Sequence, residues 1–306
     1  MKLVSIISPC YNGEYYVGRF LNSLLIQDYS NVEFIFINDG STDKTEDIFM
    51  SYKSRFEAKG WKVIYIKQEN SGQAEAINKG LKVFNGDYVI FPDSDDIMYP
   101  NHITKKVEFM EKHPEYAVAF GKLEHVNENN LNKIVRIQQR TSKNNLVDDL
   151  IERNDIIWPP ISSIFRTSSF LKAIPSRQIY TGRGGQNFQL IFPVAHQFKD
   201  GYINEPLGKY VIRNSSHSRI DKTILERNSE LFDIWINTIL NLEDTNKVKA
   251  EYIKKSAIHF FYKHSEPDSY VKKLYLFNFL PIMKLVRKNN KTKIYFLGLH
   301  VFNVRD

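Results

Sequence analysis

Hydropathy along the first ~125 residues switches between two periods. Short apolar runs at Leu3–Ser8, Val32–Asn38, Lys62–Lys67, Asp87–Phe91 and Ala117–Phe120 have the length and composition of strands. Between them, near Glu14–Gln27, Asp43–Lys59, Gln73–Phe84 and Asn101–Lys112, the apolar positions recur at helical spacing. That alternation predicts βαβ units on a mostly parallel sheet. Ser41-Thr42-Asp43 offers N-cap oxygens to the second helix, and Glu46, three residues past Asp43, has the spacing of a capping box. Pro100 and Asn101 open the fourth helix in the same manner.

The pattern changes at Asn127. Asparagines at 127, 129, 130, 132, 144 and 145 mark a hairpin or a mobile loop, a candidate lid. Order resumes at Val147–Arg153, then Trp158-Pro159-Pro160 and an αβ stretch to about Ile212. From Lys222 the spacing is helical, through Ile224, Leu225, Leu231, Ile234 and Trp235, then Ile253, Ile258 and Phe261. A boundary near Asp221 is therefore expected, dividing an α/β domain (1–220) from a helical C-terminal module (221–306).

Composition narrows the class. A chain of 306 residues, 42% hydrophobic and 25% charged, is that of a globular protein with one large α/β domain and an appendage. The single cysteine, Cys10, excludes an intramolecular disulfide framework and fits a reducing cytosol. Beside Pro9 after a strand, it reads as a small buried hydrophobe rather than a reactive thiol. The apolar run ending at Pro9 is too short for a signal peptide, and no window reaches the ~20 apolar residues of a membrane span. The expectation is a soluble or peripheral protein, cytoplasmic or held on the inner face of the plasma membrane.

The net charge of +7 is concentrated at the end of the chain. Past Val271, Lys272, Lys273, Lys284, Arg287, Lys288, Lys291, Lys293 and Arg305 face one acid, Asp306, and apolar residues interleave with them. Two readings stand: a surface for anionic lipid, or a helical cap with a solvated basic face. The front half has no basic stripe or nucleic-acid motif, so nucleic acid is not an expected partner.

Candidate chemistry lies where predicted parallel strands end. Ser8-Pro9-Cys10-Tyr11-Asn12 follows the first, Asn38-Asp39-Gly40-Ser41 the second and Asp93-Ser94-Asp95-Asp96 the fourth. Open α/β sheets bind ligands in the crevice at those ends. The first turn has no G-x-G-x-x-G and the chain no G-x-x-x-x-G-K-[ST] loop, so glycine-rich backbone contacts are not how phosphate is held. Carboxylates at a buried strand end are costly without a positive partner, and a divalent cation holding a diphosphate supplies one.

Val4 through Gly13, Asn38 through Asp43, Asn70-Ser71-Gly72 with Ala76-Ile77-Asn78-Lys79-Gly80, and Asp93-Ser94-Asp95-Asp96 together resemble the family 2 glycosyltransferases of the GT-A fold. The likeness is specific over residues 1 to ~125, weaker to about 220, and leaves the last ~85 outside. It implies a Rossmann-like, mostly parallel sheet and a nucleotide-sugar donor carrying UDP or dTDP. Pro9 and Tyr11 would line the base pocket, and Asp39 would accept from the base imide or the ribose, unless it only caps the following helix. Gly72, Gln73 and Asn78 would approach the diphosphate or the base, or be a plain helix start. Asp93 with Ser94 would face the ribose or sugar, and Asp95 would ligate Mn2+ or Mg2+, while Asp96 would be only an N-cap for the helix near Asn101. His217, between Arg213 and Arg219, resembles the segment that closes over the diphosphate and is a metal or phosphate candidate.

The resemblance breaks at one place. Inverting members carry an acidic residue and then Asp at the start of a late helix, the Asp taking the proton from the acceptor hydroxyl. In Gly182-Arg183-Gly184-Gly185-Gln186-Asn187 those positions are Gln186 and Asn187. An amide is no base at neutral pH, and losing a base costs about 10²–10⁴-fold in rate. Either Asp155, His196 or Glu205 replaces it, or the acceptor needs less help, or the chain binds donor without turnover. Trp158 before Pro159-Pro160 reads as an acceptor-stacking ring or a core residue. The expected function is metal-dependent hexosyl transfer, with inversion, to a hydroxyl of a glycan or lipid-linked acceptor in cell-surface polysaccharide (capsule or cell-wall) synthesis. The rival is a catalytically weak nucleotide-sugar-binding protein. An enzyme that makes the activated donor would want a glycine-rich, lysine-bearing first loop, which is missing.

Overall fold

The computed structural model describes residues 1–138, 145–152, 159–182, 184–213 and 224–257, and strands between 271 and 305. Strands β1 (Val4–Cys10) and β2 (Val32–Asp39) are buried at every position. Both faces of this sheet are covered, which is why these strands read as continuous apolar runs. Along β2, Phe34 and Phe36 join a core with Phe20, Leu21 and Leu24 of α1 (Val17–Leu25) and Phe49 and Phe56 of α2 (Thr45–Ala58). The intervening Ile35 and Ile37 join a second core with Ala74, Ile77 and Leu81 of α3 (Gln73–Val83).

β1 pairs in parallel with β2 and β4 (Tyr88–Ile90), and β2 with β3 (Lys62–Gln68). The sheet order is β3-β2-β1-β4-β8-β6-β9-β5, with β5 at Ile97–Met98, β6 at Tyr116–Asn127, β8 at Ser163–Arg166 and β9 at Lys199–Ile212. β7 (Asn130–Gln138) pairs antiparallel with β6, so the asparagine-rich stretch opens as a hairpin. The lid expected over the rest of it falls partly on 139–144, outside the described residues. The capping box is not made. Lys44 holds the N-cap position of α2, Asp43 accepts the Thr45 N–H at 2.9 Å, and Glu46 pairs with Lys67 of β3.

After α4 (His102–Lys112), α5 (Leu146–Glu152) and α6 (Thr167–Ala173), helix α7 (Gln186–Gln197) leads to the C-terminal helices. Phe188 stacks on Trp235 of α8 (Ile224–Leu240) with centroids 3.7 Å apart. His196 bonds to Asp244 at 2.8 Å and to Tyr252 of α9 (Asn246–Ala257) at 3.2 Å. These contacts draw α8 and α9 into the first of two compact units, Met1–Phe260 and Phe261–Asp306, and the division lies beyond the expected Asp221. Rings on α7 find their apolar partners on α8, a pairing invisible to local composition.

The helical expectation for 221–306 holds through Ala257 and fails after Val271. There β10 (Val271–Leu276), β11 (Leu280–Lys288), β12 (Lys291–Phe296) and β13 (Leu299–Arg305) form an antiparallel meander. The antiparallel register sets Leu285 against Ile294 and Ile294 against Phe302. No helix among the described residues is long and apolar enough to cross a membrane.

Candidate functional site

The loops after β1 and β2 are stitched together. Asn12 N–H donates to Ser41 Oγ at 3.0 Å, Thr42 N–H to Asn12 Oδ1 at 2.9 Å, Gly13 N–H to Thr45 Oγ1 at 2.7 Å and Glu14 N–H to Asp43 Oδ2 at 2.9 Å. Pro9 is buried and Tyr11 partly exposed on this rim, where the Tyr16 hydroxyl donates to the Tyr11 carbonyl at 3.1 Å. Gly40 turns the chain at φ +72°, and a Cβ there would lie 2.5 Å from the Asn70 nitrogen. That close approach sets the loop before α3 against the end of β2.

Asp39, at the end of β2, does not cap α2. Its buried carboxylate accepts from Gln68 Nε2 at 2.7 Å, Ser71 N–H at 2.9 Å and Gly72 N–H at 3.0 Å. A carboxylate takes about four donors, so one lone pair remains for a ligand. Gly72 begins α3 at φ 91°, and Gln73 reaches across to Asp93 Oδ1 at 2.7 Å. Asn78 is not brought to the rim: both its polar atoms bond the backbone of Ile179, at 2.9 and 2.8 Å.

The acidic turn follows β4. One carboxylate oxygen each from Asp93, Asp95 and Asp96 lies within 4.8 Å of the others. Asp95 Oδ2 accepts from Arg213 Nε at 2.6 Å, and Arg19 Nη2 donates to the Asp95 carbonyl at 2.7 Å. Asp96 is fully buried; Oδ1 takes the Val211 N–H at 2.9 Å and Oδ2 has no hydrogen-bond partner. It is no N-cap, since Asn101 holds that place on α4. Three hard oxygen donors, one a buried orphan, fit a magnesium or manganese ion.

Burial raises the Asp93 carboxyl to about 7, and the charge of Asp95 adds to the rise while Gln73 and Arg213 oppose it. Burial first, then the charges of Asp95 and Asp93, raises Asp96 well above the usual range. Below pH 7 Asp93 therefore holds a proton that a cation must displace. Affinity for a divalent cation is expected to weaken as pH falls through 7, by up to about tenfold per pH unit from Asp93 alone. Isothermal titration at about pH 6 and 7.5 checks this, and equal affinities would refute it.

Ser94 is buried beside Cys10, whose thiol burial pushes up to about 12 against the pull of the Ser94 hydrogen bond. A thiol so raised is inert at neutral pH, as the sequence reading of Cys10 has it. Gln186 and Asn187 begin α7, Gln186 buried and Asn187 half-buried. Gly185 before them lies at φ +67°, and a Cβ there would meet Ile234 of α8 at 3.0 Å. The start of α7 thus rests on a helix that lies outside the family likeness in the sequence. Of the replacement bases, His196 is bound to Asp244 and Tyr252, and Glu205 pairs with Lys105 of α4; neither touches the acidic turn. Asp155, Trp158 and His217 lie outside the described residues.

Sequence reasoning missed Arg19, which has no motif around it, and the buried pair His102 and Lys106. Lys106 Nζ donates to the Ile161 and Ser163 carbonyls at 2.6 and 3.0 Å, pinning the turn after Pro159-Pro160. Its i, i+4 spacing from His102 on an otherwise apolar face was the available signal.

A mixed sheet whose leading parallel strands end at an acidic turn is consistent with a GT-A-type glycosyltransferase fold. The chain belongs to glycosyl transferase family 2, whose family model matches residues 5–171. It is 31% identical over 261 residues to an uncharacterised glycosyltransferase of Rickettsia conorii, covering 81% of this chain and 40% of that protein. It is 42% identical over 108 residues to TuaG of Bacillus subtilis, assigned to teichuronic acid biosynthesis, covering 35% of this chain and 42% of that one. The chain thus spans about two fifths of the length of these relatives. The fold is similar to that of S. aureus TarS in complex with UDP-GlcNAc, with TM-score 0.65 and 22% identity over 86% of this chain and 74% of that one.

Proposed function

We propose that the protein transfers a hexose from a UDP- or dTDP-sugar to a hydroxyl of a glycan or lipid-linked acceptor, with inversion, in cell-surface polysaccharide synthesis. The observation that carries this reading is the carboxylate triad of Asp93, Asp95 and Asp96 at the rim shared with Asp39 and the Ser71–Gly72 amides. The complex of TarS with UDP-GlcNAc and the role assigned to TuaG support the donor and the pathway class. Asp39 would direct its remaining lone pair at the base or ribose, and Tyr11 would flank the base. Asp93, Asp95 and Asp96 would hold a Mn2+ or Mg2+ ion, which would supply positive charge to the departing diphosphate. Trp158 and His217 remain candidates for stacking the acceptor and for ligating the metal or phosphate.

Thermal shift against UDP, GDP, dTDP and CMP, with and without Mn2+, tests the donor. Stabilisation by mass action should appear with UDP or dTDP and require the metal. Equal shifts with all four nucleotides, or none with any, would sink it.

Asn187 favours a second reading, a nucleotide-sugar binder with little turnover. Hydrolysis of UDP-sugar with Mn2+ and no acceptor separates the two, since a transferase hydrolyses slowly and a binder does not. The basic C-terminal strands, whose register sets Lys273 against Lys284 and Lys288 against Lys291, are the proposed contact with an anionic membrane surface. Flotation with anionic liposomes should recover the full chain and lose one ending at Phe260; equal recovery removes the idea.

A further inference from the structure

Arg213 follows the last strand of the main sheet, two residues beyond the Val211 amide that Asp96 holds. Its guanidinium is enclosed. It bonds Asp95 Oδ2 at 2.6 Å, lies 4.1 Å from the Tyr16 ring centroid, and leaves only 14% of its side chain exposed against 19% for Asp95. An ion pair so removed from water is stronger than a surface one. The carboxylate it engages is also one of the three that converge within 4.8 Å. The same Asp95 group thus has two suitors, a guanidinium supplied by the chain and a divalent cation.

We propose that Arg213 is a built-in counter-ion that the metal must displace, so that metal is taken up efficiently only together with the donor diphosphate. This rests on the donor reading above. Formal charges give the reason. Arg213 bonds a carboxylate oxygen of Asp95, while Arg19 bonds the Asp95 backbone carbonyl. A divalent ion added alone takes Asp95 from Arg213 and then faces a guanidinium left without its anion. Adding a diphosphate alone sets it against the carboxylates. Arriving together, the two nearly cancel, and the displaced guanidinium finds a new anion in the phosphate. Arg213 is therefore a positioning residue that imposes the order of assembly.

The test measures Mn2+ binding directly, by electron paramagnetic resonance of the free ion, with the full chain and no nucleotide. Arg213→Met should bind Mn2+ about tenfold more tightly than wild type, because a charge-assisted bond no longer competes. Arg213→Gln keeps a donor without the charge and should behave the same way, whereas Arg213→Lys should stay near wild type. Adding UDP should tighten Mn2+ binding strongly in wild type and about tenfold less in Arg213→Met. A simple packing defect would weaken binding, so a gain distinguishes the roles. If both neutral variants bind Mn2+ no more tightly than wild type, while wild type with UDP does bind it, the inference is overturned and the donor reading survives. If no form binds Mn2+ with or without UDP, both fall.

Discussion

Asp95→Asn is expected to abolish the manganese-dependent nucleotide shift and to lower glycosyl transfer by at least about 10²–10³-fold. The amide keeps the size of the side chain but loses the charge that a hard cation requires, at the residue shared by the metal candidate set and Arg213. Because the substitution also leaves Arg213 without its anion, a loss of about 1–3 kcal/mol in unliganded stability accompanies it. Melting of the variant without ligand separates that loss from the catalytic one. A manganese-dependent UDP shift retained at wild-type size in the variant would remove Asp95 from the metal site and the central support from the proposed reaction.

The largest stability effect is expected at Phe34. Its ring is fully buried and meets those of Phe20, Phe36, Phe49 and Phe56 at centroid separations of 6.4, 6.1, 6.0 and 5.2 Å. Phe34→Ala removes one ring from four edge contacts and leaves a cavity between β2 and helices α1 and α2. The cost is about 3–5 kcal/mol, a melting shift of roughly 10 °C. Phe34 lies on the α1–α2 face of β2, several residues from Asp39, so UDP affinity at low temperature should be unchanged. Urea denaturation gives the first quantity and titration the second. A loss below about 1 kcal/mol would mean that the helices collapse onto the gap.

The front of the molecule was legible because its signals are local. Strand-forming runs such as Val32–Asn38 coincide with β2 within a residue, and the helix expected at Gln73–Phe84 is α3. The polar clusters at 8–12, 38–41 and 93–96 do meet on one rim, as parallel strands ending in sequence require. Asn78, open in the sequence between a ligand contact and a helix start, and Glu46, expected in a capping box, were decided by the same thing. Each lies in a motif-like stretch, yet its partner, Ile179 or Lys67, comes from a distant part of the chain. The tail was misread because Leu, Lys and Tyr at mixed spacing serve helix and strand alike; the choice fell to cross-strand pairing.

Residue order alone determined the βαβ alternation, the acidic turn after the fourth strand and the amides at the start of α7, since each depends on neighbours along the chain. Only the tertiary structure decided that Asp95 faces Arg213, that Asp39 is already bonded by the Ser71 and Gly72 amides, and that α8 underlies the Gly185 turn. The physical reason is that charge and hydrogen-bond partners are chosen by proximity in space. Asp95 and Arg213 are brought together because Asp96 bonds the Val211 amide at the end of β9.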